Sequence, residues 1–256
     1  MREFAAIVLA AGKGERLRVA AHTDLPKVLI PVLGRPMIAY LLDAVRGAGV
    51  DDITLVVGYQ ADKVRAALGE AYRYVLQERQ LGSGHAVLYA KEALAGTSEH
   101  ILVLCGDSPL FTSETIRLLA EHHRQTGAAI TLVSAVPDNP SGYGRILRAA
   151  GRIRGIVEEK GAGDEVRAIR EVNGGAYAFN AEWLWANIER MRVNPAGELN
   201  LTDLVEIAVS DGERVHAISC DPFEILGVNT PEQLAEVETL LATPSGYNRR
   251  VHTNEE

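Results

Sequence analysis

The sequence predicts an α/β fold in which a mostly parallel sheet is flanked by helices. Two observations carry this prediction. Short β-branched runs alternate with amphipathic helical patterns through the first half of the chain, and strand–helix–strand repetition implies right-handed crossovers between parallel strands. The 256-residue length is enough for one large domain with a substantial core.

The elements follow in order. "AAIVLA" (5–10) reads as a buried strand and "MIAYLLDAVRGAG" (37–49) as a helix stopped by glycine. "DITLVVGY" (52–59) is a second strand, "QADKVRAAL" (60–68) a helix and "YRYVLQ" (72–77) a third strand. "GHAVLYAKEAL" (84–94) is helical, and "HILVLCGD" (100–107) is the most strand-like stretch of the chain. A helix over 113–126 leads to a strand at "AAITLVSAV" (128–136). After Pro140 the texture changes: "GYGRILRAAGRIRGIVEEK" (142–160) reads as a hairpin and "NGGAYAF" (173–179) as a strand. The region 138–200 is expected to form a smaller β-rich lobe packed on the same sheet, within one domain over 1–243. Residues 244–256 are polar and expected to be a loose tail.

Lysine and arginine number 26 against 34 aspartates and glutamates, a net charge of −8. A nucleic-acid surface would need a basic stripe, so that class is disfavoured. Cys105 and Cys220 form neither a disulfide framework nor a zinc pattern. No signal peptide, long apolar run or lipidation motif is visible, which predicts a cytoplasmic protein with no membrane partner.

The candidate chemistry begins at "LAAGKGERL" (9–17). Gly12 and Gly14 permit close backbone approach, and Lys13, Arg16, Arg18 and Lys27 follow, a pattern suited to a phosphate-bearing ligand. A plain strand-to-helix turn would also favour glycine. The dinucleotide fingerprint is excluded, because its third glycine is Leu17 here and the second strand ends Val56, Val57, Gly58 without an acid. The NTPase phosphate loop is excluded by spacing.

Taken with "DLPKVL" (24–29), "QLGSGHAV" (80–87), "GDSPL" (106–110), "SGYGRI" (141–146), "VEEK" (157–160), "EVNGG" (171–175), "ELNLTD" (198–203) and "GVNT" (227–230), the loop acquires a specific context. This ordered series resembles the uridylyltransferase domain of bacterial bifunctional N-acetylglucosamine-1-phosphate uridylyltransferases, over nearly the whole chain to about Thr243. The resemblance implies a Rossmann-like nucleotidyltransferase fold with a sugar-binding lobe. It implies UTP and a sugar-1-phosphate as substrates and Mg2+ as cofactor. The attacking phosphate monoester, with a second pKa of about 6, would be ionised at neutral pH, so no general base is required.

The same resemblance implies roles for individual residues. Arg16 and Lys27 would contact the triphosphate and the developing pyrophosphate; either could otherwise be a surface cation. Leu9, Ala10, Ala11, Gly12, Gln77, Gly82 and Ser83 match base-binding positions, and a glutamine amide suits the uracil edge. Gln77 could instead be a surface residue at a strand end. Asp107 and Asn229 would hold the metal, with a helix N-cap as the alternative for Asp107. Cys105, Gly106, Gly144, Glu158, Asn173 and Thr202 match the sugar side, though Thr202 could cap a helix. His85 is expected to be structural.

Several positions depart from the family pattern. "RVAAHT" (18–23) is a longer segment than is usual there, Cys105 replaces a tyrosine, and "NGGAY" replaces Asn-Thr-Gly. The bifunctional members continue into a left-handed β-helix of hexapeptide repeats, and no acetyltransferase is expected from this sequence. Three functions are therefore weighed. They are a UTP-dependent N-acetylglucosamine-1-phosphate uridylyltransferase, a uridylyl- or thymidylyltransferase for glucose-1-phosphate or another hexose-1-phosphate, and a non-catalytic sugar-nucleotide-binding regulatory protein.

Overall fold

The computed structural model describes residues 2–20 and 22–243; the tail expected at 244–256 lies outside them. The first strand, β1 (Arg2–Ala10), leads through the glycine loop into a short helix, α1 (Glu15–Ala20). A 3-10 turn at Lys27–Leu29 and a two-strand ribbon, β2 (Pro31–Val32) with β3 (Arg35–Pro36), precede α2 (Met37–Gly47). Then come β4 (Ile53–Val57), α3 (Ala61–Leu68), β5 (Arg73–Leu76), α4 (Ser83–Tyr89), α5 (Lys91–Leu94), β6 (Ser98–Cys105), α6 (Ser113–Thr126) and β7 (Ile130–Ala135). The second half contributes the hairpin β8 (Arg145–Ala149) and β9 (Arg152–Val157), then α7 (Asp164–Arg167), β10 (Val172–Asn180) and α8 (Ala181–Asn187). It closes with α9 (Asp203–Ser210), β11 (Val215–Ser219) and α10 (Pro231–Ala242).

The main sheet has the order β11-β7-β10-β6-β1-β4-β5. Its β6–β1–β4–β5 half is parallel throughout, and β11 pairs parallel with β7. Period-two alternation sends Ala5 and Ile7 of β1 to one face and Ala6, Val8 and Ala10 to the other. The first face packs against α4, α5, α8 and α9, and the second against α2 and α6. Apolar strands without polar alternation are what a sheet covered on both sides requires.

Three outcomes were not legible in the pattern. The expected helix 84–94 divides at Ala90, whose N–H bonds Val87 O at 3.0 Å, a tightened turn that keeps Val87, Ala90 and Leu94 on the sheet. The strand expected at 173–179 is not peripheral: β10 runs antiparallel between β6 and β7, in the middle of the sheet. Its register shifts between Asn173 and Tyr177, where Gly175 takes φ +77° and a Cβ on Gly174 would meet Val133 O at 3.0 Å. The glycine pair therefore makes a bulge that bends the strand just after Asn173. Only β8 and β9 lie off the main strand path, and β11 extends the sheet where the pattern raised no expectation.

Helix ends are set locally. Thr112 caps α6 by accepting from Thr115 N at 3.1 Å, and the buried Glu224 carboxylate accepts from both threonine hydroxyls and from Thr112 N. Thr230 and Gln233 form a capping box on α10, with Pro231 at its first position.

Away from the strand ends, α6 buries His123 completely, with Nδ1 3.0 Å from Thr131 Oγ1 and the ring edge-on to His100 at 4.9 Å. Burial, with His100 next, pushes its pKa down to about 3. An unfolded histidine titrates near about 6.5, so below that pH the unfolded chain binds a proton that the folded chain refuses. Stability should fall as pH drops from about 6.5 toward 3, with this group contributing roughly 2 kcal/mol of loss at pH 5. Denaturant titrations at about pH 7.5 and about pH 5 should show a smaller acid loss in His123→Asn than in the native chain. Equal losses would mean that His123 is not the group responsible.

Candidate active site

The candidate site opens at the carboxyl ends of β1, β4, β5 and β6, where open α/β sheets place ligands. A cleft of about 550 Å³ lies there. Its floor is the glycine loop. A Cβ on Gly12 would find nothing within 4 Å, so a ligand can approach this backbone closely. Gly14 differs: its φ is +60°, and a Cβ there would meet the Lys27 side chain at 2.5 Å. The Lys27 stem therefore lies directly on Gly14.

Lys27 is held by its own local sequence. Pro26 precedes the 3-10 turn, Leu29 N bonds Pro26 O at 2.9 Å, and Val28, Leu29 and Ile30 anchor the turn in the core. The lysine itself is only 8% exposed, and a buried ammonium needs partners. It has two. Nζ makes a very short contact with Asp107 Oδ2 and donates to Asn229 Oδ1 at 2.8 Å.

Asp107 and Asn229 reach this point from distant parts of the chain. Asp107 follows β6, and Gly106 before it donates N–H to Leu9 O at 2.9 Å. A Cβ on Gly106 would come within 2.8 Å of that same carbonyl, so only glycine permits the crossing. Asp107 O accepts from Val228 N at 2.9 Å, which docks the "GVN" segment beside it. Asn229 N donates to Gln233 Oε1 at 2.8 Å, tying the residue to the start of α10. Asp107 does not cap α6, since Thr112 does.

Gln77 follows β5 directly and is 2% exposed. Its N–H bonds Val57 O at 2.7 Å, and its side-chain Nε2 lies 3.3 Å from Gly82 O and 2.9 Å from His85 Nδ1. The reading of a surface glutamine is thus set aside. The "LGSG" turn is clamped to the segment before α9. Gly84 N donates to Leu199 O, Leu199 N to Leu81 O, and Leu201 N to Ser83 Oγ at 3.0 Å. Gly82 has φ +100° with Leu199 O only 2.4 Å from a would-be Cβ.

The sugar-side candidates form a neighbouring group. Asn173 N bonds Gly144 O at 2.9 Å, and Asn173 Nδ2 donates to Tyr177 Oη at 2.5 Å. Thr202 sits at the start of α9 without capping it; its hydroxyl donates to Glu158 Oε1 at 3.2 Å. Cys105 joins the two groups, lining the cleft while its Sγ lies 3.7 Å from a Cβ built on Gly175. Burial, with Asp107 next, pushes this thiol up to about 12, so it stays neutral.

Of the candidates named from sequence, Leu9, Ala11, Gly12, Arg16, Lys27, Gln77, Gly82, Ser83, Cys105, Asp107 and Asn229 all border the cleft. Ala10 turns into the opposite core, Gly106 serves the chain crossing, and Gly144, Glu158, Asn173 and Thr202 stand outside the lining. Arg16 is exposed and makes no ion pair among the described residues. Arg18 turns away to pair with Asp24 and to stack over Tyr59 at 4.6 Å. Asp24 also accepts from Gln60 and Lys63, which ties it to the start of α3. Those two hydrogen bonds, Lys63 first, hold the Asp24 carboxyl below its ordinary range. Sequence reasoning missed Gln80 and Glu198 as lining residues, although both lie inside the quoted motifs.

The nucleotidyl transferase family matches residues 5–242. The bifunctional protein GlmU of Pelotomaculum thermopropionicum is 45% identical over 242 residues, 93% of this chain and 52% of that protein. Its counterpart in Geobacter metallireducens is 46% identical over 242 residues, covering 92% and 50% respectively. The Geobacillus sp. protein of the same name is 42% identical over 239 residues, 92% of this chain and 51% of the other. The chain thus spans about half the length of the curated relatives it matches. A crystal structure of a glucose-1-phosphate thymidylyltransferase from Bacillus anthracis superposes with a TM-score of 0.78 at 20% identity, covering 96% of this chain and 99% of that one. At that identity the likeness is one of fold: a mostly parallel mixed sheet flanked by helices. With the family matched across nearly all of its described length, this chain belongs to the nucleotidyl transferase family.

Proposed function

We propose that the chain transfers a uridylyl group from UTP to N-acetylglucosamine-1-phosphate, making UDP-N-acetylglucosamine and releasing pyrophosphate. One observation carries this reading: a single cleft joins a buried base-reading amide, Gln77, to the cationic cluster at Lys27. Gln77 follows β5 and Asp107 follows β6, three strand positions apart across β4 and β1, or about 14 Å. That span accommodates a base, a ribose and a phosphate chain. The motif series and the relatives named GlmU favour N-acetylglucosamine-1-phosphate over another hexose-1-phosphate as the acceptor.

The chemistry asks for positioning and charge stabilisation. The sugar phosphate attacks the α-phosphorus as an anion, and pyrophosphate leaves. Open backbone at Gly12 lets phosphate oxygens come close, while Lys27 and Arg16, which line the same cleft, supply positive charge, one buried and one exposed. Glu158, Asn173 and Thr202 offer carboxylate, amide and hydroxyl groups to sugar hydroxyls, and Gly144 offers a backbone group.

A divalent metal, magnesium in this reading, suits the donor set. Asp107 and Asn229 present oxygen atoms to one cationic point, where Lys27 Nζ lies. Among the described residues no group of three or more His, Cys, Asp or Glu side chains could hold a metal. The two would therefore hold it together with phosphate and water oxygens. When bound, the ion would neutralise phosphate charge. Substrates of this kind need no nucleic-acid or membrane surface, and a cytoplasmic setting suits them. No helix of the described residues is long and apolar enough to cross a membrane.

Pyrophosphate release, measured over a grid of nucleoside triphosphates and sugar-1-phosphates, should peak with UTP and N-acetylglucosamine-1-phosphate. Equal turnover of UTP, CTP and ATP would end the uridylyl assignment, and equal use of glucose-1-phosphate would end the sugar assignment. Lys27→Met keeps the stem on Gly14 but removes the charge. Its kcat should fall roughly a hundredfold or more, with KM for the sugar phosphate little changed. Near-normal kcat would reduce Lys27 to a structural cation. Chelation should abolish turnover and added magnesium should restore it; full activity in chelator would remove the ion from the reaction.

A further inference from the structure

We infer that His85 sets the base selectivity of the cleft by fixing which end of the Gln77 amide faces the ligand. This deepens the uridylyl reading proposed above and rests on it. The geometry begins at Gly82, whose carbonyl oxygen can only accept a hydrogen bond. Gln77 Nε2 lies 3.3 Å from that oxygen, so the NH2 end of the amide must face it. The same nitrogen lies 2.9 Å from His85 Nδ1. With NH2 on the glutamine side, Nδ1 has to be the acceptor, and the ring proton sits on Nε2. Burial, and then the charge of Arg79, hold the imidazole below its ordinary pKa, in keeping with a neutral ring.

The NH2 group has two hydrogens, and both are engaged inside the protein. Only Oε1 remains for the ligand, and nothing among the described residues donates to it. Gln77 therefore offers the base an acceptor and no donor. Uracil carries an N–H at ring position 3 and can donate to that oxygen. Cytosine has an unprotonated acceptor nitrogen at the same position and would place two acceptors face to face. Without His85 the amide keeps only the longer Gly82 contact, and rotation would let it present NH2 to cytosine. His85 is thus a positioning residue, acting through Gln77 without touching the base. The remaining supports do not supply this control. Gln80 Nε2 bonds the Gln77 main-chain oxygen at 3.0 Å, which fixes the backbone and leaves the side-chain amide free to turn.

The test compares the ratio of kcat/KM for UTP to that for CTP in the native chain, His85→Leu and His85→Asn. In His85→Asn the side-chain oxygen can take the place of Nδ1 as acceptor. Loss of one paired hydrogen bond should lower the ratio roughly tenfold or more in His85→Leu, and His85→Asn should recover most of it. A native chain without preference for UTP would overturn the uridylyl reading and this inference together. A native preference retained in full by His85→Leu would overturn only the role of His85, as would equal loss in the Leu and Asn variants. Nitrogen-15 NMR of histidine-labelled native protein supplies a readout that does not depend on turnover. Nδ1 of His85 should show the unprotonated shift near neutral pH, with the resonance assigned by its absence in His85→Asn. A proton on Nδ1 would overturn the inference by itself.

Discussion

The contact of Lys27 with Asp107 and Asn229 is the constraint on which the rest of the site depends. It joins the segment after the glycine loop, the end of a central strand and the turn before the last helix. Each partner is anchored independently: Lys27 by a proline-led 3-10 turn in the core, Asp107 by the chain crossing at Gly106, and Asn229 by Gln233. A half-buried carboxylate beside a buried ammonium stays paired because separating the two would leave an uncompensated charge. The cluster thus holds three segments in register and keeps a cationic point at the mouth of the cleft.

The sheet topology explains why such a cluster can form. With β6, β1, β4 and β5 parallel, their carboxyl ends share one edge, and the loops leaving them converge there. The antiparallel β10, inserted between β6 and β7, brings Asn173 from the other direction, and its Gly174–Gly175 bulge bends the strand beside Cys105. The Gln77 end of the cleft depends on a second tertiary contact. The "LGSG" turn is clamped by Leu199 and Leu201, so the segment before α9 shapes the wall on which the Gln77 amide rests.

Close approach of a neighbouring segment to a glycine recurs around the cleft. Gly14 yields to the Lys27 stem, Gly82 to Leu199 O, and Gly106 to Leu9 O. These glycines serve packing between segments, whereas Gly12 alone in the first loop faces open space. The pattern "GKG" shows two glycines of the same kind. The structure divides them into one that faces open space and one that admits a lysine.

The alternating strands and helices, the rejection of dinucleotide and NTPase loops, and most of the cleft-lining residues were legible in the sequence. Hydrophobic periodicity and glycine placement are local properties, and "LAAGKGERL", "QLGSGHAV" and "GDSPL" carry their residue types in plain order. What local pattern could not supply was which strands become neighbours. β10 read as part of the 138–200 lobe because a short apolar run marks a strand without saying which strands it pairs with. Arg18 looked like another phosphate cation until Asp24 and Tyr59 were found to hold it elsewhere. His85 was expected to be structural, and its contact through Nδ1 with Gln77 was not visible in the sequence. By itself, then, the sequence determined the fold class, the loop chemistry and the residue types at the strand ends, all consequences of local pattern. Tertiary structure alone decided which side chains share hydrogens and charges. Those pairings join residues separated by tens to hundreds of positions, and only the closing of the sheet brings them within a few ångströms.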